Sequence, residues 1–247
     1  MVKVKRTFPA PASLEIESKK RTGSYEKPDV IRQLRDDFHN KCYICEMKNL
    51  QDPEVEHLLP HKNGKYWDRK FDWNNLFWSC GHCNSVKNQK KYDMGIIDCC
   101  KLDPEKVIFF RMTENAVAAD AKNENDVSAV VTAELVCEVF NKKNTGLRDC
   151  KTEMRFQELT REMNLLYDNL EEIKKHPDSK FVLRKLKALL RRESAFAAFK
   201  REYIPPDTTD TMRLTLGSPA SAFPFPSGNP GGASARSAEL RQNSIRR

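Results

Sequence analysis

Residues 42–87 read CYICEMKNLQDPEVEHLLPHKNGKYWDRKFDWNNLFWSCGHCNSVK, and the fold turns on how this stretch is read. It opens and closes on a Cys-x-x-Cys turn: Cys42 with Cys45, and Cys80 with Cys83. Each turn presents two sulfurs to one point. Four thiolates at ~2.3 Å in a tetrahedron suit Zn²⁺ and make a closed, structural site with no open position for chemistry. The competing reading is four core or redox cysteines that pair by chance, but a doubled Cys-x-x-Cys is far more specific than a single one. The remaining cysteines, Cys99, Cys100, Cys137 and Cys150, lack such spacing and read as small apolar fillers.

Between the turns lie Val55-Glu56-His57-Leu58-Leu59-Pro60 and Trp73-Asn74-Asn75-Leu76, and the second turn runs on as Cys83-Asn84-x-x-Lys87. Alone, a Glu-His pair is a surface feature and an Asn beside a cysteine is a turn. In this order and inside this cysteine frame the blocks resemble the HNH, or ββα-metal, nucleases. There a strand carries an acid-His pair, a loop carries an Asn, and a helix carries a second metal ligand. The resemblance implies that Glu56 and Asn84 bind a catalytic Mg²⁺ or Mn²⁺, that His57 is the general base, and that Asn75 orients the strand bearing it. That assignment makes chemical sense. A hard cation takes oxygen ligands, and an imidazole with a pKa near 6.5 suits proton removal from water at neutral pH. Lys87, one helical turn beyond Asn84, is placed to neutralise a phosphate oxygen. His61 is either a phosphate contact or a solvated loop histidine, and Trp67, Trp73 and Trp78 read as core. Glu56 departs from the Asp or His usual at its position, and the extra methylene moves the carboxylate outward.

The bulk properties agree with a nucleic-acid enzyme without requiring one. Lys and Arg number 43 against 35 Asp and Glu, for a net charge of +8 and a pI near 9.0. This favours polyanions or simply keeps the protein soluble. No run approaches the ~18 apolar residues of a membrane helix. The start, Met1-Val2-Lys3-Val4-Lys5-Arg6, has charge but no apolar signal region. A cytoplasmic protein with reduced thiols is expected.

The predicted architecture is α+β. Residues 1–28, with Pro9, Pro11 and Pro28, read as an extended N-terminal arm; 29–110 hold the nuclease core with its zinc ribbon; 111–204 are helical; 205–247, rich in Pro, Gly, Ser and Ala, read as disordered. Asp29 is the expected N-cap of a helix bearing Val30, Leu34 and Phe38 and stopping near Asn40. A strand is expected at Val107–Phe110, then a helix over 127–141. Phe156, Leu159, Met163, Leu166, Leu170 and Ile173 form a helical seam. A last helix is expected from beyond Pro177 to about Tyr203. Its basic stripe, Lys180, Arg184, Lys187 and Arg191, is a candidate nucleic-acid contact, while the paired helices are a candidate partner-docking surface.

A narrower resemblance covers about residues 1–204. Arg6-Thr7-Phe8-Pro9, Lys41-Cys42-Tyr43-Ile44-Cys45-Glu46, Asp103-Pro104, Asn141 with Asn144-Thr145-Gly146-Leu147-Arg148, and Phe196-Ala197-Ala198-Phe199-Lys200-Arg201 resemble the PtuB family of HNH nucleases, from Septu and related retron defence systems. This implies an anti-phage effector working with a PtuA-like partner ATPase; retron versions add a reverse transcriptase and its RNA–DNA product. Family habit favours DNA over RNA, which the motif itself does not discriminate. The competing class is a non-catalytic zinc-ribbon adaptor for nucleic acid or protein.

Overall fold

A computed structural model of the chain describes residues 1–142 and 146–204. It is α+β, with two small antiparallel sheets and a helical C-terminal part. The first strand pair is β1, Pro53–His57, with β2, Leu76–Cys80, in a register that sets Glu56 opposite Phe77 and His57 opposite Leu76. The second is β3, Ile108–Met112, with β4, Val117–Ala121. One continuous apolar core runs from Met1 to Phe199, so the expected boundary near residue 110 does not divide the packing. No helix among the described residues is long and apolar enough to cross a membrane.

The N-terminal region departs from an extended arm. Met1, Val2 and Val4 are buried, and the Val4 N–H donates to the Cys99 carbonyl at 3.0 Å. A short helix, α1, spans Ala12–Ser18. Helix α2, Pro28–Asp37, starts one residue before the expected cap: Lys27 is its N-cap and Pro28 takes the first helical position, where a missing N–H costs nothing. Asp29 instead accepts hydrogen bonds from the Ser13 N–H and hydroxyl, tying α1 to α2. Val30, Leu34 and Phe38 are buried as their spacing predicts, and the chain leaves the helix through His39 and Asn40, both at positive φ.

Between the hairpin strands run a single helical turn, α3 (Trp67–Lys70), and a 3-10 turn at Trp73–Asn75. Helix α4, Gly81–Lys87, follows β2 directly, so strand, strand and helix form one unit around the second cysteine turn. Helix α5, Val127–Asn141, is capped by Asp126, whose carboxylate accepts the Ala129 N–H, and it packs on β4 and α4. Asn144 and Thr145 lie outside the described residues.

Helix α6, Gly146–Lys175, carries the predicted seam, and its apolar face is used up inside the molecule. Leu159, Met163, Leu166 and Ile173 are buried, and α6 packs on α5 and on α7, Lys180–Leu189. The final helix is not continuous to Tyr203. It breaks after α7, passes through Phe196 at φ 50°, and restarts as α8, Ala197–Glu202. The cause is Glu46. Its fully buried carboxylate accepts the Ala197 N–H at 2.8 Å and the Ala198 N–H at 3.3 Å, while its carbonyl accepts the Phe196 N–H. The same carboxylate holds the Met1 ammonium at 2.7 Å and the Lys41 ammonium at 3.0 Å. Lys41 also donates to the carbonyls of Arg192 and Ser194 inside the break. The first amides of a helix lack partners inside it, and the buried carboxylate supplies them with charge-assisted bonds. The tail expected from residue 205 lies outside the described residues.

These contacts hold the Glu46 carboxyl down to about 2, against burial, which pushes it up. A folded pKa below the ordinary 4.5 adds stability above pH 4.5 that is lost as pH falls toward 2. Urea midpoints of the wild type should fall through that window, and those of Glu46→Gln should fall less. Glu46→Ala strands two buried cations and should cost about 3–5 kcal/mol at pH 7.

Candidate functional site

The two cysteine turns converge. The sulfurs of Cys42, Cys45, Cys80 and Cys83 lie within 4.8 Å of one another, all buried, with Cys45 Sγ 4.0 Å from Cys80 Sγ. Tetrahedral zinc–thiolate geometry at ~2.3 Å needs sulfur–sulfur separations of just under 4 Å, so the donor set fits one zinc-type ion. The cluster has a neighbour that the sequence did not reveal: Arg155 of α6, 5% exposed, points its Nη2 at Cys80 Sγ at 3.0 Å. Four thiolates around a divalent ion leave a net charge of −2, and a buried guanidinium offsets part of it. Three residues after Thr152 and four before Leu159, Arg155 shares the buried face of α6; its one signal in the sequence was a cation on a mostly apolar stripe. His82, buried and with Nε2 3.1 Å from the Val139 carbonyl, joins α4 to α5.

On the open side of the β1–β2–α4 unit is a cleft of about 500 Å³ lined by Glu56, His57, His61, Asn84 and Lys87, with Tyr25 along one wall. Glu56 and His57 are adjacent on β1 and both buried. Strand alternation sends them to different sides, and both reach the cleft because β1 ends at His57. Glu56 turns toward α4: its Oε1 accepts from Lys87 Nζ at 2.5 Å and its Oε2 from the Tyr43 hydroxyl at 2.5 Å. Burial nevertheless pushes its carboxyl up. His57 turns the other way. Its Nε2 is 3.1 Å from the Lys70 carbonyl, with the rings of Tyr25 and His61 packed on it at 4.6 and 4.7 Å. A carbonyl can only accept, so Nε2 carries the proton and Nδ1 keeps its lone pair. Burial lowers the His57 pKa to about 4, which keeps the ring neutral at pH 7.

Asn75 stands outside the cleft and clamps the chain just after β1. Its Oδ1 accepts the Leu59 N–H at 2.8 Å, and its Nδ2 donates to the carbonyls of Leu59 and Arg69. Asn84 Nδ2 donates to Glu54 Oε2 at 2.6 Å, so its Oδ1 remains as an acceptor or ligand. Asn84, Glu54 and Glu56 offer oxygen donors of the kind a hard divalent cation takes. To gain Glu56 such a cation must displace or share with Lys87, which also donates to the His57 carbonyl at 3.0 Å. Lys87 is 6% exposed and spent on these two partners rather than turned outward to a phosphate. Tyr43 and Glu54 were not singled out from the sequence; each sits within the quoted motif stretches but carries no spacing signal of its own.

His61 accepts the Gly64 N–H on Nδ1 and lines the cleft. Lys180, Arg184 and Lys187 are exposed on α7 and lie away from it; Arg191 is exposed beyond the end of α7. Trp73 and Trp78 are buried, and Trp67 is 39% exposed. No protein-family model matches the sequence, and no curated protein matches it.

Purified protein should carry one zinc ion per chain. Cys42→Ser or Cys80→Ser should lose it and unfold, because binding energy in such sites is folding energy. Arg155→Met should keep the ion but weaken its hold by about 10–100-fold, read by competition with a chromophoric chelator.

Proposed function

We propose that this cleft is the active site of an HNH-type endonuclease that hydrolyses phosphodiester bonds, with DNA the preferred nucleic acid. The observation that carries the reading is the pairing of two things at the end of β1. One is a neutral histidine, tautomer fixed by a backbone carbonyl; the other is an oxygen donor set across from it on β1 and α4. In this reading Glu56 and Asn84 would hold a Mg²⁺ or Mn²⁺, which would supply charge stabilisation at the scissile phosphate. His57 Nδ1 takes the proton of the attacking water, and the Nε2–H bond to Lys70 steadies the imidazolium that forms. Asn75 holds the turn that keeps the ring in place. The resemblance to the Septu and retron nucleases supports an anti-phage effector role with a partner ATPase. The internal burial of the α6 seam leaves exposed side chains, not that seam, to meet a partner.

One observation favours the competing reading, a zinc-ribbon adaptor without catalysis: both oxygens of Glu56 are already satisfied by Lys87 and Tyr43. Mn²⁺ titration of the zinc-loaded protein separates the two. The enzyme reading requires saturable Mn²⁺ binding that Asn84→Ala abolishes; the adaptor reading requires none.

For activity, His57→Ala should lower Mg²⁺- or Mn²⁺-dependent cleavage by about 10²–10⁴-fold while zinc content and nucleic-acid affinity stay near wild type. Cleavage at the wild-type rate by this variant would refute the assignment.

A further inference from the structure

Arg6 is a buried cation without a counter-ion. It is 8% exposed, with its guanidinium carbon 4.9 Å from the ring centres of both Trp73 and Phe77 and 5.7 Å from that of Phe38. Its Nη2 donates to the Leu76 carbonyl at 2.8 Å, while Nε and Nη1 are buried with no acceptor. Among the described residues it forms no ion pair. Buried charges in proteins are ordinarily paired, because an unpaired one forfeits its hydration with nothing in return. Three aromatic faces supply part of the compensation but no negative charge.

Above Arg6 lies a second cavity, about 540 Å³, which shares no lining residue with the cleft. Its walls bring Lys3, Lys5, Lys101 and Arg192, the last already paired with Asp103 at 2.5 Å, to the same space, against the carboxylates of Asp98 and Glu193. Those acids are poor counter-ions for Arg6. Asp98 accepts the Cys100 N–H at 2.8 Å and faces Lys101 at 3.4 Å; Glu193 is exposed, near His39. Lys3 spends one N–H on the Cys100 carbonyl and has two left, and Lys5 is exposed with no hydrogen bond or ion pair among the described residues. The pocket therefore has surplus positive charge, spare donors at its mouth, and an uncompensated cation in the low-dielectric layer beneath. Such a layer focuses potential into the cavity. Phe8, 62% exposed, stands at its edge.

We propose that this cavity is a phosphate seat whose occupant supplies the counter-charge that the chain withholds from Arg6. The phosphate comes either from the backbone of a nucleic acid, in which case the seat rests on the nuclease reading, or from a small phosphate compound. Arg6 reaches the Leu76 carbonyl, and Leu76 pairs with His57 across the hairpin, so the seat and the cleft are built on the same two strands.

The test reads binding alone, in zinc-loaded protein carrying His57→Ala, so that failure of cleavage and failure of the seat are separate results. Inorganic phosphate should raise the thermal midpoint of this protein where chloride at equal ionic strength does not, and adding Lys5→Glu with Lys101→Glu should abolish the rise. The same pair should weaken a short labelled single-stranded oligonucleotide by about tenfold or more and make its salt dependence shallower by about one to two phosphate contacts. Lys174→Glu with Lys175→Glu, an equal charge change in the exposed last turn of α6 and outside both cavities, is the control. A loss of oligonucleotide affinity greater than the control's assigns the seat to a nucleic-acid backbone; loss of the phosphate response alone assigns it to a small phosphate. No phosphate response in the parent, with an oligonucleotide affinity that the pair changes no more than the control does, overturns the proposal.

Discussion

The turn at Cys42–Cys45 and the turn at Cys80–Cys83 meet through four sulfurs held within 4.8 Å of one another. The first turn precedes β1, and the second joins β2 to α4, so closing this cluster ties the hairpin and the helix together at one point. A pair of five-residue strands is too short to stand alone in water. Here the hairpin is pinned at its open end by the sulfurs and at its far end by the Asn75 clamp on Leu59. Glu56 and His57 lie between these pins. Arg155 extends the constraint to α6, so the long helix is oriented by the charge of the cluster as well as by its apolar seam.

A second polar centre closes the molecule on itself. Glu46 follows the first cysteine turn directly and gathers the Met1 ammonium, Lys41, and the first amides of α8. Lys200, fully buried in α8, reaches Glu162 of α6, and Arg201 pairs with Glu105 ahead of β3. Phe199 stacks edge-on against Phe110 and Phe140. Short helix α8 thus reaches β3, α5 and α6 through Phe199 and Lys200, and Glu105 through Arg201.

What the sequence disclosed follows from how far each signal reaches. The cysteine spacing and the blocks around Glu56, His57, Asn75 and Asn84 are local, and the structure brings Glu56, His57 and Asn84 to one cleft with Asn75 behind it. Amphipathic spacing found α2, α5 and α6 because each buries one face. Strand β4 was invisible, since Val117–Ala121 is mostly alanine and gains its place by pairing with β3 and by the Asn141 side chain bonding both polar atoms of Val117. The break after Leu189 was equally hidden, because nothing within α7 or α8 announces a carboxylate arriving from residue 46. Several residues that carried the narrower family resemblance, among them Arg6, Lys41, Glu46, Asn141 and Lys200, are such long-range polar pegs. Their pattern was readable as a pattern, but their purpose required the partners.

The span of the Glu46 contacts has a bearing on synthesis. Glu46 and the amide of Ala197 are 151 positions apart. Translation at about 5–20 residues per second separates their appearance by roughly 8–30 s. During that interval the two cysteine turns can already meet, whereas the carboxylate beside them has its cations but lacks the amides that α8 will bring. A nascent chain therefore holds its cysteine-pinned hairpin before it holds the scaffold that packs behind it, and the order of emergence, rather than stability at equilibrium, sets when the cleft acquires its final shape.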